Sequence, residues 1–220
     1  MNPQDFWNGR YREESYAYGT LPNEFIAQSL EGLTPGKIYF PAEGEGRNAV
    51  FAATKGWEVW AADQSEEGKK KAIQLAEHHN VEIHYHVGNA MKYTCPAPLD
   101  AVGFCYFHTP EAILAPMYSH ILGQLKPGGT VLLEGFSEKN LGLGSGGPQD
   151  LSMLFTEAKI KSLLSGFQNI KVWEECVQLN EGSTTKVRHG SSEPSQKNNS
   201  IPFILTTFAA ENRGRPSFQW

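Results

Sequence analysis

Residues 37–65 of this 220-residue chain read KIYFPAEGEGRNAVFAATKGWEVWAADQS. The stretch begins with a short apolar run at 37–42, continues with helix-forming residues at 47–55, and ends with a second apolar run at 58–62. The loop after the first run is rich in glycine. A strand, a helix and a second strand in this order form the repeating unit of a parallel sheet, so the stretch predicts an α/β fold.

The same alternation continues along the chain. Further strands are predicted at 82–87, 99–106 and 130–136, and further helices at 65–79, 110–125 and 148–164. The last two apolar runs, at 170–179 and 201–209, are joined by polar residues that leave no room for a crossover helix, so we expect these strands to be antiparallel. The expected architecture is a Rossmann-like, doubly wound sheet of seven mostly parallel strands, with an antiparallel strand at its edge and helices on both faces.

The length of 220 residues predicts a single domain that spans 1–220. Residues 1–30 precede the first strand, and we expect them to form an N-terminal lid or strap. Residues 182–200 are polar and almost free of large apolar side chains, so we expect a flexible loop between the last two strands.

Charge and composition narrow the classes of partner. The net charge of −5 argues against a protein that grips nucleic acid phosphates. No apolar run approaches the ~20 residues of a membrane span, and the N-terminus lacks the pattern of a secretory signal. The three cysteines have no disulfide or metal spacing. We therefore expect a cytoplasmic protein without a membrane or nucleic acid partner, and the sequence leaves its oligomeric state open.

Two features at the predicted strand ends point to a nucleotide-like ligand. Gly44 and Gly46 allow a tight turn and a close approach of backbone to ligand, and free N–H groups of a helix N-terminus are expected behind them. Asp63 ends the next strand, where a carboxylate can accept both hydroxyls of a ribose. Residues 44–49 also fit the loose dinucleotide pattern GxGxxA, so an NAD-dependent oxidoreductase remains an alternative.

Four motifs resemble those of class I S-adenosylmethionine-dependent methyltransferases: EGEGRNAVFAA at 43–53, VWAADQS at 59–65, VGNA at 87–90 and LKPGGTVLLEGF at 125–136. The leader FWNGRYREESYAYGTLPNEFI at 6–26 is similar to that of the tellurite-resistance type, in the branch that also holds thiopurine methyltransferases. The resemblance implies S-adenosyl-L-methionine (SAM) as cofactor and a small-molecule acceptor with a soft nucleophile, such as a thiol, selenium or tellurium species. A non-catalytic SAM-binding protein is the other alternative.

The resemblance also implies a set of site residues. Those implied for cofactor binding are Glu43, Gly44, Glu45, Gly46, Arg47, Asn48, Asp63, Gln64, Ser65, Asn89, Ala90, Cys105, Tyr106 and Phe107. Within this set, Asp63 would bind the ribose hydroxyls, and Asn89 and Ala90 would contact adenine. The residues implied for a lid are Trp7, Arg10, Tyr11, Tyr16 and Tyr18. Aromatic side chains suit a lid because they exclude water and their faces attract a sulfonium.

The glycine loop departs from the family pattern, in which an acid and a further glycine occupy the positions of Phe40 and Ala42. Glu43 is an additional acid, and we expect it to bind the cofactor's ammonium group, with a solvated loop acid as the alternative. His108 is the candidate general base because of its intrinsic pKa; the alternative is a histidine that caps the helix beginning near Pro110. No metal site is expected, since His84 and His86 lack a third ligand.

Overall fold

The computed structural model describes residues 2–144, 147–178, 199–200 and 202–209. The helices are α1 (Pro3–Tyr11), α2 (Glu24–Glu31), α3 (Arg47–Thr54), α4 (Glu66–His78), α5 (Glu111–Leu122) and α6 (Glu157–Leu163). The strands are β1 (Lys37–Pro41), β2 (Glu58–Asp63), β3 (His84–Val87), β4 (Leu99–Cys105), β5 (Leu125–Phe136), β6 (Phe167–Glu174), β7 (Val177–Gln178), β8 (Asn199–Ser200) and β9 (Pro202–Ala209). Short 3-10 helices at Glu138–Asn140 and Leu151–Met153 lie between β5 and α6.

The main sheet has the strand order β3-β2-β1-β4-β5-β9-β6. The first five strands are parallel, and β9 runs antiparallel to both of its neighbours. The predicted antiparallel pairing of the last two long strands is confirmed. The prediction that the reversed strand lies at the edge is wrong, because β9 inserts between β5 and β6. Sequence adjacency indicates that two strands pair, but it does not indicate which of them takes the inner position.

The core lies on both faces of the sheet, which agrees with the expected α/β Rossmann-like fold. Along β1, Ile38 and Phe40 pack with residues of α2, α3 and α4, whereas Tyr39 packs with residues of α5 and α6 on the opposite face. The same alternation occurs on β5, where Leu132 and Leu133 face opposite sides. This alternation follows from the two-residue period of a strand.

The predicted helix at 148–164 is shorter than expected. Only Leu151–Met153 and α6 are helical in this stretch, because the residues between them leave the helix to fill the core. Phe155 is buried, its N–H donates to the Phe136 carbonyl at 3.0 Å, and its own carbonyl accepts from Glu138 N at 3.1 Å. A strand-like contact with the end of β5 thus replaces a helical turn.

The structure also adds detail in the N-terminal segment and in the segment between β6 and β9. The N-terminal segment contains α1 and α2. The side chains of Asn2 and Asn23, each directly before its helix, cap the first turns of α1 and α2. Of the predicted loop, residues 182–198 lie outside the described residues, and Asn199–Ser200 pair with β7. None of the helices in the described part combines the length and the apolar character that a membrane crossing requires.

Candidate functional site

The glycine loop joins β1 to α3 at the carboxyl edge of the sheet. Gly44 and Gly46 have φ values of +63° and +88°, which favour glycine. A Cβ on Gly46 would lie 2.5 Å from the Cβ of Ala72 in α4, and one on Gly44 would lie 2.6 Å from the Tyr11 hydroxyl. Both glycines are therefore required by backbone conformation and by the close approach of neighbouring elements.

Asp63 ends β2 beside this loop and is only 6% exposed. One carboxylate oxygen accepts from Gly44 N at 3.0 Å and the other from Ser65 N at 2.9 Å. Burial raises the pKa of Asp63, while the hydrogen bonds from the N–H groups of Ser65, Gly44 and Gln64 oppose the rise. Each oxygen keeps a second lone pair, so the carboxylate fits an acceptor of two ribose hydroxyls.

Glu43 caps α3. Its Oε1 accepts from Asn48 N and Ala49 N, both at 2.8 Å. Burial raises the pKa of Glu43 to about 7 against these bonds and the charge of Arg47. The N–H groups of Asn48 and Ala49 are therefore not free for a ligand in this arrangement, which corrects the expectation of an uncapped helix N-terminus behind the glycines. Glu43 Oε2 accepts a long hydrogen bond of 3.5 Å from Asn48 Nδ2.

Glu45 connects the glycine loop to the segment that follows α1, at residues 15–17. Its Oε1 lies 2.7 Å from Lys71 Nζ in a buried ion pair, and its Oε2 accepts from Ala17 N at 2.7 Å. Lys71 Nζ also donates to the Ser15 carbonyl at 2.8 Å, and the Tyr16 hydroxyl donates to the Lys71 carbonyl at 3.0 Å. Both oxygens of Glu45 are thus engaged by protein groups, a role that the sequence did not indicate.

Helix α1 lies over the glycine loop and Asp63. Tyr11 is buried, Trp7 stacks on it at a ring distance of 5.4 Å, and Asn8 Oδ1 accepts from Ser65 Oγ at 2.7 Å. Burial and the negative charge of Asp63 raise the pKa of Tyr11. The structure therefore brings the predicted lid residues to the predicted cofactor site, and it adds Asn8, which sequence reasoning missed.

Arg10 and Arg47 lie on the ring of Tyr18. Their guanidinium carbons are 5.4 Å and 5.9 Å from the ring centroid, and Arg47 also donates to the Tyr18 carbonyl at 3.2 Å. Among the described residues, no group accepts a hydrogen bond from the buried Nε of Arg10. An unsatisfied cationic donor beside the glycine loop fits an anionic group of a ligand.

The end of β3 lies next to Asp63. Gly88 N donates to the Asp63 carbonyl at 2.8 Å, and Asn89 Oδ1 accepts from Met91 N at 2.9 Å. Ala90 is buried, and its carbonyl accepts from the Tyr39 hydroxyl at 2.9 Å. The predicted adenine-contacting turn is thus adjacent to the predicted ribose acid.

The carboxyl ends of β4 and β5 carry a second pair of polar side chains. Cys105 is in register with Glu134, and Tyr106 donates from its N–H to the Glu134 carbonyl at 2.7 Å and from its hydroxyl to Glu134 Oε1 at 2.8 Å. Phe107 follows and packs partly against the core. Sequence reasoning singled out Tyr106 but gave Glu134 no role, although an acid within the apolar run TVLLEGF was a signal.

His108 is held by two backbone groups. Its Nε2 accepts from Phe136 N at 3.0 Å, so Nδ1 carries the proton and donates to the Met153 carbonyl at 2.8 Å. Burial lowers the pKa of His108 to about 4. The ring is therefore neutral with both nitrogens engaged. A general base at His108 stays a prediction, and this geometry does not favour it.

His84 and His86, the two histidines that were considered as metal ligands, stack on aromatic rings. His84 lies on Trp60 at 5.2 Å and His86 on Tyr93 at 4.7 Å. Within the described ranges, no group of three or more His, Cys, Asp or Glu side chains could hold a metal ion.

The residues that form this site also match a known protein family. Residues 42–129, which contain the glycine loop, Asp63, Asn89 and Tyr106, match the family model of a methyltransferase domain. No curated protein sequence matches the chain.

Three solved structures are similar in fold. One, from work on the conversion of a disulfide bond into a thioacetal group during echinomycin biosynthesis, has a TM-score of 0.70 and 14% identity, covering 96% of this chain and 93% of that chain. TehB from Haemophilus influenzae has a TM-score of 0.64 and 15% identity, covering 95% and 67%. Magnesium protoporphyrin IX methyltransferase from Synechocystis PCC 6803, with bound SAH, has a TM-score of 0.63 and 19% identity, covering 94% and 97%. At these identities the similarity establishes the fold.

Proposed function

We propose that this chain, which is a SAM-dependent methyltransferase, transfers the methyl group to a small-molecule acceptor with a soft nucleophilic atom: a thiol, or a selenium or tellurium species. The match to a methyltransferase domain decides in favour of SAM over the dinucleotide that the glycine pattern had left open. The acceptor class is our own proposal, and it would place the chain near the tellurite-resistance and thiopurine branch.

The observation that carries the proposal is the position of α1 over the site. Tyr11 approaches Gly44, and Asn8 is bonded to Ser65. The buried pair of Glu45 and Lys71 fixes the segment that follows α1. A site covered by the protein's own N-terminal segment suits an acceptor that is small enough to diffuse beneath it.

The second support is the state of His108. Its nitrogens are bonded to the backbone, so the described site offers no free histidine base. An ionised soft nucleophile requires mainly alignment and desolvation, and a thiol ionises far more readily than a hydroxyl, which more often requires a strong base such as a free histidine. The similar structures include one concerned with sulfur chemistry, the disulfide-to-thioacetal conversion, and TehB.

SAM supplies a methyl group activated by its sulfonium, and the residues of this chain bind it and exclude water. Asp63 would accept the two ribose hydroxyls, and Asn89 and Ala90 would contact adenine. The orphan Nε of Arg10 fits the cofactor's carboxylate, and Glu43 Oε2 fits its ammonium group. Trp7 and Tyr11 shield the site, which strengthens each electrostatic contact.

Two measurements test the proposal. Thermal shifts should occur with S-adenosylhomocysteine (SAH) and not with NADH, and Asp63→Asn should weaken SAH binding by ~10-fold or more relative to the exposed control Asp150→Asn. Product mass spectrometry with thiol, selenite and tellurite then tests the acceptor. Methylated products support the proposal. SAH binding without methylation of any of the three would overturn the acceptor class.

A further inference from the structure

We propose that Tyr106 and Glu134 form a proton-accepting pair for the methyl acceptor, a role that rests on the function proposed above. The pair lies where β4 and β5 end. The Tyr106 hydroxyl donates to Glu134 Oε1 at 2.8 Å, and Tyr106 N donates to the Glu134 carbonyl at 2.7 Å. Side-chain and backbone hydrogen bonds therefore hold the phenol and the carboxylate in one fixed geometry.

The environment of Glu134 and the backbone conformation of Tyr106 are both energetically unfavourable. Glu134 is only 4% exposed at the end of an otherwise apolar strand, where a carboxylate is unfavourable without strong hydrogen bonds. Tyr106 has a φ of +50°, which is rare for a bulky residue and is found where the surroundings enforce it. Its ring is fixed 4.6 Å from that of Phe136. A requirement for stability alone would select neither feature, which points to a functional constraint.

The sheet order places the pair beside the proposed cofactor site. Strands β2, β1, β4 and β5 are consecutive neighbours. Asp63 ends β2, and the glycine loop follows β1. With the ribose at the first of these strands and the methionine part over the second, the next positions along the edge belong to Tyr106 and Glu134. The acceptor would therefore meet the methyl group from the side of this pair.

A thiol acceptor must lose its proton, and the pair can accept it. A thiol with a pKa of about 8.5 is only ~3% thiolate at pH 7. As the acceptor sulfur bonds to the methyl carbon, the bond from that carbon to the sulfonium breaks and its electron pair stays on the cofactor sulfur. The thiol proton passes to the Tyr106 oxygen while the phenolic proton passes to Glu134. The products are a thioether, SAH and a protonated Glu134, which releases its proton to water.

The test compares two acceptors that differ in protonation. An alkyl thiol is protonated at neutral pH, whereas an electron-poor aryl thiol is already ionised. Glu134→Gln and Tyr106→Phe should lower the ratio of kcat/KM for the alkyl thiol to kcat/KM for the aryl thiol by ~10-fold or more. The matched controls Glu138→Gln, which is exposed, and Tyr118→Phe, which is buried in the core, should leave this ratio unchanged.

Cofactor binding provides a second measurement, which is independent of activity. SAH affinity of Glu134→Gln, measured by calorimetry, should stay within about threefold of wild type, because the pair acts on the acceptor. An equal loss of kcat/KM for both thiols would overturn the proposal. If Glu134→Gln does not fold, Tyr106→Phe carries the comparison because it retains the carboxylate. A wild-type enzyme that binds SAH but methylates neither thiol would instead overturn the proposed acceptor class, and with it this role.

Discussion

Replacing Glu43 with glutamine should reduce the dependence of stability on pH. Burial raises the pKa of Glu43 from 4.5 to about 7, although the N–H groups of Ala49 and Asn48 favour its charged form. Between these two values the folded protein binds more protons than the unfolded chain, so wild type loses stability as the pH rises through this interval. The raised pKa of Glu43 therefore contributes about 3 kcal/mol to the free energy of unfolding at low pH, and this contribution is lost in full above pH 7.

Urea denaturation of wild type and Glu43→Gln at about pH 4 and about pH 8 measures this effect. Glutamine keeps a carbonyl oxygen that can accept from Asn48 and Ala49, so the helix cap is retained. The free energy of unfolding of the variant, relative to wild type, should rise by about 3 kcal/mol from the lower to the higher pH. The exposed Glu82→Gln is the control. If the difference in free energy of unfolding between Glu43→Gln and wild type is the same at both pH values, burial does not raise the pKa of Glu43.

Three further predictions concern buried groups. Lys71→Ala should lower the free energy of unfolding by about 3 kcal/mol, because Glu45 is left buried without its cation; the double variant Glu45→Gln/Lys71→Met should recover part of the loss in the same urea titration. The NMR signals of the His108 ring should remain those of the neutral form down to about pH 5, and titration near 6.5 would contradict the structure. Tyr118→Phe should raise the free energy of unfolding by about 1 kcal/mol in thermal melts, since no described residue pairs with this buried hydroxyl; a destabilised variant would indicate a hidden partner.

The parts of the fold set by local pattern could be predicted. The strand–helix–strand unit at 37–65, the glycine turn and Asp63 follow from apolar runs and from residues with special backbone freedom. These inferences require only period and topology. Asn89 and Tyr106 are implied by the family resemblance, and they lie at the same edge as Asp63 because parallel strands present their carboxyl ends together.

The parts set by tertiary contacts could not be predicted. Phe155 leaves a helical pattern because its backbone pairs with the end of β5. Glu43 turns onto the N–H groups of α3, and His108 bridges two backbone groups that are distant in sequence. The ion pair of Glu45 with Lys71 joins a loop to a helix. In each case the partner is chosen by the folded geometry, and no spacing in the sequence reveals it.

The most direct test of the proposed function follows a labelled methyl group in competition. The wild-type protein would be incubated with SAM labelled in its methyl group and an equimolar mixture of a thiol, selenite, a catechol, a primary amine and RNA. We expect the label in methylated sulfur or selenium products. Label found mainly on oxygen, on nitrogen or in the RNA would contradict the proposed acceptor class.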